Sequence, residues 1–236
     1  MHALPTPRII LTVVSWASTF ARFHAGRIPL VGPLVVRVTD WSKPQPGRGP
    51  MFDQRVLERL SVAHPMIPTV TYAPIGVLLL FQAVRSGMGA NAVVVCYILG
   101  MVAWSFFEYG VHRLAFHHEP TTPVQVAGAY LVHGVHHAYP DDSRRWVMPL
   151  AVTAPIATAL FFAFRLVLGR WAPATYAGFI SGYLTYDLLH YFIHRGRLPT
   201  RLGRYLRQYH LAHHYKMADR NFGVTSPLWD VVFRTK

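Results

Sequence analysis

Long apolar stretches alternate with polar segments along this chain. Residues 66–84, 86–107 and 146–164 carry no Lys, Arg, Asp or Glu, and 171–193 carries only Asp187 and the histidine His190 near its end. A helix that crosses the hydrocarbon core of a bilayer needs roughly 20 predominantly apolar residues. The pattern therefore predicts an all-α integral membrane protein with four transmembrane helices, arranged as two hairpins.

The segments outside these stretches predict a short N-terminal unit and one larger domain. Residues 43–50 read KPQPGRGP, which is too rich in Pro and Gly for a helix or strand interior. We predict an N-terminal arm and linker over 1–50 and a membrane-embedded domain over 51–236, with a short amphipathic helix within 53–64. The apolar run 9–20 is too short to span a bilayer and predicts an interfacial helix, with a signal-peptide core as the alternative.

Composition and charge favour a membrane over nucleic acid. The chain is 52% hydrophobic, its mean hydropathy is +0.25 and its formal net charge is +13. No nucleic-acid motif occurs, and the basic residues flank apolar stretches, so anionic lipid headgroups are the expected partner. Arg144 and Arg145 follow Asp141 and Asp142 in a polar segment, where solvated or headgroup-facing charges are expected.

The distribution of basic residues predicts the orientation. Twenty Lys and Arg lie on the side that holds both termini and the connection between the second and third stretches, against three at the hairpin tips. Basic residues accumulate on the cytoplasmic side of membrane proteins. Both termini and the histidine-rich segments are therefore predicted to be cytoplasmic.

Eleven of the fourteen histidines fall into four groups on that one side. One metal rarely takes more than about six donors, so about ten clustered imidazoles predict a dinuclear metal site. Helix positions i, i+3 and i+4 share a face, so HxxHH and HxxxH can each present several rings together. The groups are His112, His117 and His118; His133, His136 and His137; His190 and His194; and His210, His213 and His214.

Two details of spacing refine this prediction. His112 and His117 are five residues apart and would point about 140° away from each other on one helix, which predicts a helix end between them. Asp187 lies three residues before His190, and Glu108 lies four before His112. Because metal-bound histidines usually donate their second N–H to an acceptor such as a carboxylate, each acid is a candidate for orienting a ring. A helix-end acid that faces headgroups is the alternative.

Four sequence elements carry a resemblance to a known family. They are HRLAFH at 112–117, HGVHHAYPDDSRRWVMP at 133–149, GYLTYDLLHYFIH at 182–194 and HLAHHYKMADRNFGVTSPLWDVVFRT at 210–235. In order and spacing they resemble the fatty acid hydroxylase superfamily, and within it the fatty acid 2-hydroxylases. The resemblance extends from about residue 64 to 235.

The resemblance implies which residues form the site. Tyr186 and Asp187 match positions beside the family's active site and are candidate catalytic residues. His118 and Glu108 are candidates for an additional ligand or for a group that contacts one; His118 stands where sterol-modifying relatives have histidine. The implied metal ligands are His112, His117, His133, His136, His137, His190, His194, His210, His213 and His214.

The same resemblance implies a membrane-bound, O2-dependent monooxygenase that hydroxylates carbon 2 of a fatty acyl chain, free or in a ceramide-like lipid. Two metal ions are implied, with iron as the redox-active choice and zinc as an ion that could fill the site on isolation. No haem-binding HPGG element occurs in the first sixty residues. Electrons are therefore expected from a separate protein, such as a b5-type cytochrome or a ferredoxin.

Three alternatives stay open from the sequence. One is a sterol or carotenoid hydroxylase or desaturase that uses the same dimetal chemistry. Another is a single structural zinc site, which needs only four of the histidines. The third is a metal transporter, although transport sites usually lie near the bilayer midplane rather than at helix ends.

Overall fold

The computed structural model describes residues 26–30 and 34–236, which are mostly helical. Short π-helical and 3-10 turns connect or extend several of the α-helices. The elements are β1 (Gly26–Pro29), β2 (Val35–Val38), α1 (Arg55–Leu60), α2 (Ile67–Arg85), α3 (Ala90–Val111) continued by a π-helix (His112–Phe116), α4 (Pro123–Ala129) continued by a π-helix (Tyr130–Gly134) and by α5 (Val135–Ala138), a 3-10 turn (Ser143–Arg145), α6 (Leu150–Leu168), a 3-10 turn (Gly169–Trp171), α7 (Ala172–Arg195), α8 (Arg201–Tyr215) and α9 (Leu228–Val232).

Within the described residues, three helical stretches are long and apolar enough to cross a membrane: Ile67–Arg85, Ala90–Phe116 and Ser143–Arg195. The third is 53 residues long and contains both α6 and α7. The chain turns between them at Gly169, whose φ of 53° is a left-handed conformation that suits glycine. The predicted class of integral membrane protein is supported at this level, while the count of four spans stays a prediction.

Helices α6 and α7 pack against each other as a hairpin. The Tyr176 hydroxyl of α7 donates a hydrogen bond to the carbonyl of Ala157 in α6, at 2.5 Å. The Tyr176 ring also packs against Phe161 and Phe164, at centroid distances of 5.4 and 5.2 Å. These aromatic contacts fill the space between the two helices, and α7 also packs against α2 and α3, so the three neighbours together bury most of its first three turns.

Helices α3 and α7 approach each other closely along a seam of glycines. Gly100 of α3 lies against the carbonyl of Thr175, and Gly178 of α7 lies against the carbonyl of Tyr97. A Cβ at either glycine would collide with that carbonyl, so only glycine allows the two backbones to meet there. The seam fixes α3 and α7 relative to each other, and each of these helices leads into part of the histidine cluster.

The prediction of an all-α fold was wrong in one respect. Strands β1 and β2 pair antiparallel, with Gly26 opposite Val38 and Pro29 opposite Val35. Four-residue strands carry too weak an alternation to be recognised beside the long apolar stretches. The segment that follows β2 packs against the helical part of the protein.

Residues 34–52 pack against the helices that carry His133 to His137. Val36, Trp41 and Met51 are buried in one apolar cluster with Tyr130 and Val135. The Trp41 ring lies 5.7 Å from the Tyr130 ring. This packing supports the connection between the second and third apolar stretches, which is helical over α4 and α5. The division of the chain at residue 50 stays a prediction, and the apolar run 9–20 lies outside the described residues.

The short helix predicted within 53–64 is present as α1, although it buries none of its residues, and it is tied to Arg145. The Arg145 guanidinium donates to Glu58 Oε1 at 2.6 Å, to the Gly49 carbonyl at 3.0 Å and to the Ser61 carbonyl at 2.8 Å. Its side chain is only 2% exposed. The prediction that Arg145 is solvated was therefore wrong, because two segments distant in sequence, the linker at Gly49 and helix α1 with its end at Ser61, supply acceptors that compensate for its burial. Arg144 instead forms a bidentate ion pair with Asp142.

Candidate metal centre

Ten histidines converge in two groups of five at one end of the helical bundle. Within each group, one ring nitrogen per residue lies within 4.8 Å of every other, and each group could hold a metal ion. Group A is His112, His117, His133, His137 and His213. Group B is His136, His190, His194, His210 and His214.

A π-turn at the end of α3 brings His112 and His117 into the same group. The backbone N–H of His117 donates to the carbonyl of His112 at 3.2 Å, which closes a turn of five residues instead of four. The helix ends there, as the spacing predicts. The wider turn removes the large angle that a regular α-helix would leave between the two rings, so both reach group A.

The two HxxHH elements divide their rings between the groups. His133 and His137 enter group A while His136, from the same turn, enters group B. In α8 the assignment is reversed, since His213 enters group A and the pair four residues apart enters group B. Positions i and i+4 lie about 40° apart around a helix, whereas i+3 lies about 60° to the other side. The sequence spacing predicts the shared face but not this division.

The two groups are neighbours. The ring of His137 in group A lies almost parallel to the ring of His214 in group B, with centroids 4.2 Å apart. His136 and His214 are also in contact, at 4.5 Å. Two ions held by these groups would therefore lie side by side.

Backbone carbonyls fix the tautomer of three rings. The Nδ1 atoms of His112, His213 and His190 lie 2.5, 2.6 and 2.8 Å from the carbonyl oxygens of residues 222, 220 and 146, respectively. A carbonyl only accepts hydrogen bonds, so each Nδ1 carries the proton and each Nε2 of the neutral ring presents a lone pair to its group.

The contacts among the Nε2 atoms fit a metal better than hydrogen bonding. His112 Nε2 and His137 Nε2 both lie 3.0 Å from His133 Nε2. A single proton on His133 could not satisfy both neighbours with good geometry. Two ligand nitrogens at right angles on metal bonds of about 2.1 Å would lie roughly 3 Å apart, whereas tetrahedral ligands would lie about 3.4 Å apart. Group B shows the same spacing at His210, which lies 3.0 Å from His214 and 3.1 Å from His194.

Burial keeps these rings neutral. Burial, reinforced by the neighbouring His137 and His112, holds the pKa of His133 well below its usual range. Burial also lowers the pKa of His213 to about 4, and it lowers that of His210 well below the ordinary value. A neutral imidazole is the form that binds a metal, so the site presents ligands without first losing protons.

Two buried carboxylates hold the loop that orients group A. Glu108 accepts hydrogen bonds from the backbone N–H groups of Val224 and Thr225 at 2.7 and 3.0 Å. Asp230 accepts from the N–H groups of Phe222 and Gly223 at 3.0 and 2.7 Å. We call residues 220–225 the orienting loop, because its carbonyls at 220 and 222 accept from two group A histidines. Glu108 thus acts on His112 through this loop and not by direct contact.

The other sequence-predicted residues lie around the centre. Asp187 is buried, and its Oδ2 has no hydrogen-bond partner within the described part of the chain. The acceptor for His190 is the Trp146 carbonyl, so the role of orienting that ring does not belong to Asp187. The Tyr186 ring lies parallel to His190 at 5.7 Å. His118 lies outside both groups, and its Nδ1 is 3.0 Å from the Ala115 carbonyl.

The residues that sequence reasoning missed are the orienting groups. Trp146 follows Arg145, so the buried network around Arg145 also holds the carbonyl that orients His190. Asp230 lies in the FGVTSPLWD stretch that contributes to the family resemblance. That stretch was the sequence feature that could have indicated a role for Asp230 near the site. No spacing rule indicates that a backbone carbonyl 44 residues from His190 in sequence would accept its proton.

Comparison with known proteins decides the family. A model of the fatty acid hydroxylase family matches residues 97–235, which is more than half of the chain. The chain belongs to the fatty acid hydroxylase family. The resemblance noted from the four histidine elements is thereby confirmed, and this hydroxylase is an oxidoreductase.

Individual relatives agree with that membership. The hydroxylase is 36% identical over 190 residues to the dihydroceramide fatty acyl 2-hydroxylase FAH1 of Arabidopsis thaliana, covering 79% of this chain and 80% of the relative. It is 35% identical to the ceramide very long chain fatty acid hydroxylase SCS7 of Saccharomyces cerevisiae, covering 80% of this chain and 50% of the relative. A solved structure of full-length scs7p, in which only the hydroxylase domain is visible, matches with a TM-score of 0.75 and 35% identity, covering 80% of this chain and 72% of that chain.

Proposed function

We propose that this hydroxylase inserts one oxygen atom of O2 at carbon 2 of a fatty acyl chain in a ceramide-type lipid or a free fatty acid. The overall change is R–H + O2 + 2e⁻ + 2H⁺ → R–OH + H2O, with both electrons supplied by a donor outside the histidine site. The observation that carries the proposal is the pair of adjoining five-histidine groups at the end of an apolar bundle. The names of the relatives supply the substrate class.

The ligands would be the ten histidines of groups A and B, with one ion in each group. Two iron ions bound there would supply the activation of O2 that side chains alone cannot provide, and zinc could occupy the same nitrogens. The chain itself holds the rings neutral, fixes their tautomers through backbone carbonyls and excludes water by burying nine of the ten. Five nitrogen donors per group exceed the four of a structural zinc site.

Substrate selection is proposed to rest on α7. Asp187 and Tyr186 lie within one turn of His190 in α7, and the Tyr186 ring is stacked on the His190 ring. A buried carboxylate with an unpaired oxygen can accept a hydrogen bond from the polar end of a lipid and thereby place the adjacent acyl carbon at the centre. The histidine that would favour a sterol substrate, His118, lies outside both groups, so no structural observation supports that alternative.

The proposed topology has four spans, with α6 and α7 as separate spans and with the site and both termini on the cytoplasmic side. The asymmetry of basic residues and the α6–α7 hairpin support it. Cysteines introduced at Gly87 and at Ser143, both exposed, should react with an impermeant label from opposite sides of sealed vesicles. Labelling of both from one side would contradict this topology.

Product analysis tests the function. Cells that lack their own 2-hydroxylase and express this chain are expected to accumulate 2-hydroxyacyl lipids, as measured by mass spectrometry of lipid extracts. Hydroxylated sterols or carotenoids without 2-hydroxyacyl lipids would replace the proposal with the alternative chemistry. Metal uptake into proteoliposomes without any oxygenated product would favour the transporter.

Replacing Asp187 with asparagine should lower product formation about 100-fold while metal content stays at the wild-type level, because misplacing the reacting carbon by about 1 Å can cost that much. The reason is that the Trp146 carbonyl, and not Asp187, holds the group B ring, so the change removes only the charge facing the substrate. The measurement is 2-hydroxylated product per enzyme beside elemental analysis. The matched control is Asp141→Asn, an exposed acid, and wild-type activity in Asp187→Asn would show that the carboxylate has no part in turnover.

A further inference from the structure

One face of α8 is strongly basic. From residue 195 to 218 the sequence contains six Lys or Arg and no Asp or Glu. Arg201, Arg204 and Tyr205 follow each other at i, i+3 and i+4, so they share one side of the helix, and all three are exposed. The histidines of the same helix are buried on its other side.

Lys236 and Arg220 extend this surface toward the metal centre. Lys236 Nζ lies 5.9 Å above the Tyr205 ring, and the Arg220 guanidinium donates to the Lys236 carbonyl at 3.0 Å. We call Arg201, Arg204, Tyr205, Arg220 and Lys236 the basic face. Asp219, next to Arg220, is an exposed acid beside it.

The basic face contacts group A directly and lies one residue away from group B. The carbonyl of Arg220 accepts from Nδ1 of His213 in group A, at 2.6 Å. The Tyr205 ring lies 5.8 Å from the Tyr209 ring, and Tyr209 precedes His210 of group B in the chain. Both routes run from exposed residues to a buried ligand, one through a direct hydrogen bond and the other through Tyr209, which suits electron transfer to a site that solvent does not reach.

We propose that the basic face is the docking surface of an acidic one-electron carrier protein, which delivers two electrons per turnover in two successive encounters. This inference rests on the proposed function, because only a reductive O2 reaction consumes those electrons. Each encounter oxidises one carrier by one electron, and the two protons come from solvent. Opposite charges raise the rate at which such partners associate and orient them correctly. Tyr205 and Leu202, both exposed, offer an apolar contact in the middle of the face.

The test uses the full chain in bilayers and the reduced soluble haem domain of a b5-type cytochrome as the carrier. In Arg201→Glu with Arg204→Glu, the KM for the carrier should rise about tenfold or more while kcat at saturating carrier is unchanged. Salt should raise the wild-type KM but change that of the variant little. Arg201→Gln with Arg204→Gln should give an intermediate rise. The control is Arg85→Glu with Arg165→Glu. It makes the same change of net charge at the hairpin tips and should leave the KM for the carrier unchanged.

A second arm bypasses the carrier. Enzyme reduced with dithionite without oxygen, and then exposed to O2 for one turnover, should yield equal 2-hydroxylated product in the wild type and in both α8 variants. An unchanged carrier KM and salt dependence in the glutamate variant would overturn the docking proposal. The proposal would also be overturned if the glutamate variant lost product equally in the carrier-driven and the dithionite-driven assays and if that loss depended on the content of anionic lipid. That result would assign the basic face to the membrane surface. Absence of product from the dithionite-reduced wild type would instead remove the proposed function, and this inference with it.

Discussion

Replacing His136 with alanine is expected to abolish 2-hydroxylated product and to lower the metal content below the two ions per chain expected of the wild type. Neither ring nitrogen of His136 has a hydrogen-bond partner in the part of the chain that the structure describes, although the residue is buried. Such a ring has no structural bond to lose, so its cost of burial is offset only when it binds a ligand. Elemental analysis of detergent-purified protein and lipid mass spectrometry are the two measurements.

The matched control is His118→Ala. His118 belongs to the same sequence cluster but lies outside both groups, so metal content and turnover should stay at wild-type levels. A full complement of metal with normal turnover in His136→Ala would contradict the assignment of group B. One ion or none in the wild type would remove the dinuclear interpretation.

The second large effect is expected from Asp230→Asn, which should reduce metal binding at group A and leave group B loaded. Asp230 is completely buried and accepts three hydrogen bonds, from the N–H groups of Phe222 and Gly223 and from the Thr235 hydroxyl. Asparagine replaces one acceptor oxygen with a donor that faces an N–H group. Losing such a buried bond costs about 1–3 kcal/mol, and it releases the loop carbonyl that orients His112.

Metal content should therefore fall from two ions to about one, since a lost orienting partner typically weakens binding about 10- to 100-fold. The residual ion should be sensitive to a further His210→Ala change but not to His213→Ala. Asp219→Asn, an exposed acid in the same tail, is the control. Equal loss of both ions, or loss of helical content in the metal-free variant, would show that Asp230 supports the whole fold rather than one group.

The helical spans and the set of converging histidines could be predicted from the sequence because both follow from local periodicity. Apolar runs reveal helices of bilayer length, and i, i+4 spacing brings pairs such as His190 and His194 together. The helix end between His112 and His117 followed from the same geometry, although the π-turn that produces it is not visible in the spacing.

The arrangement around those histidines could not be predicted, because it depends on contacts between distant segments. The acceptor for His190 is a backbone carbonyl, which any residue type could provide. Arg145 sits beside two aspartates in sequence, yet its ion pair is with Glu58, 87 residues away. Whether a charge is buried depends on which segments fold over it, and periodicity contains no information about that.

The glycine seam between α3 and α7 limits where a long lipid tail can lie. At Gly100 and Gly178 the two backbones touch, leaving no gap of the width of a methylene chain. A tail therefore cannot pass between α3 and α7 at these two positions, whereas α6 buries only Thr153 and leaves side chains such as Phe162 exposed. The α3–α7 contact is therefore a closed wall for the tail, and substitutions along it should change the relative position of the two helices rather than the length of tail that the enzyme accepts.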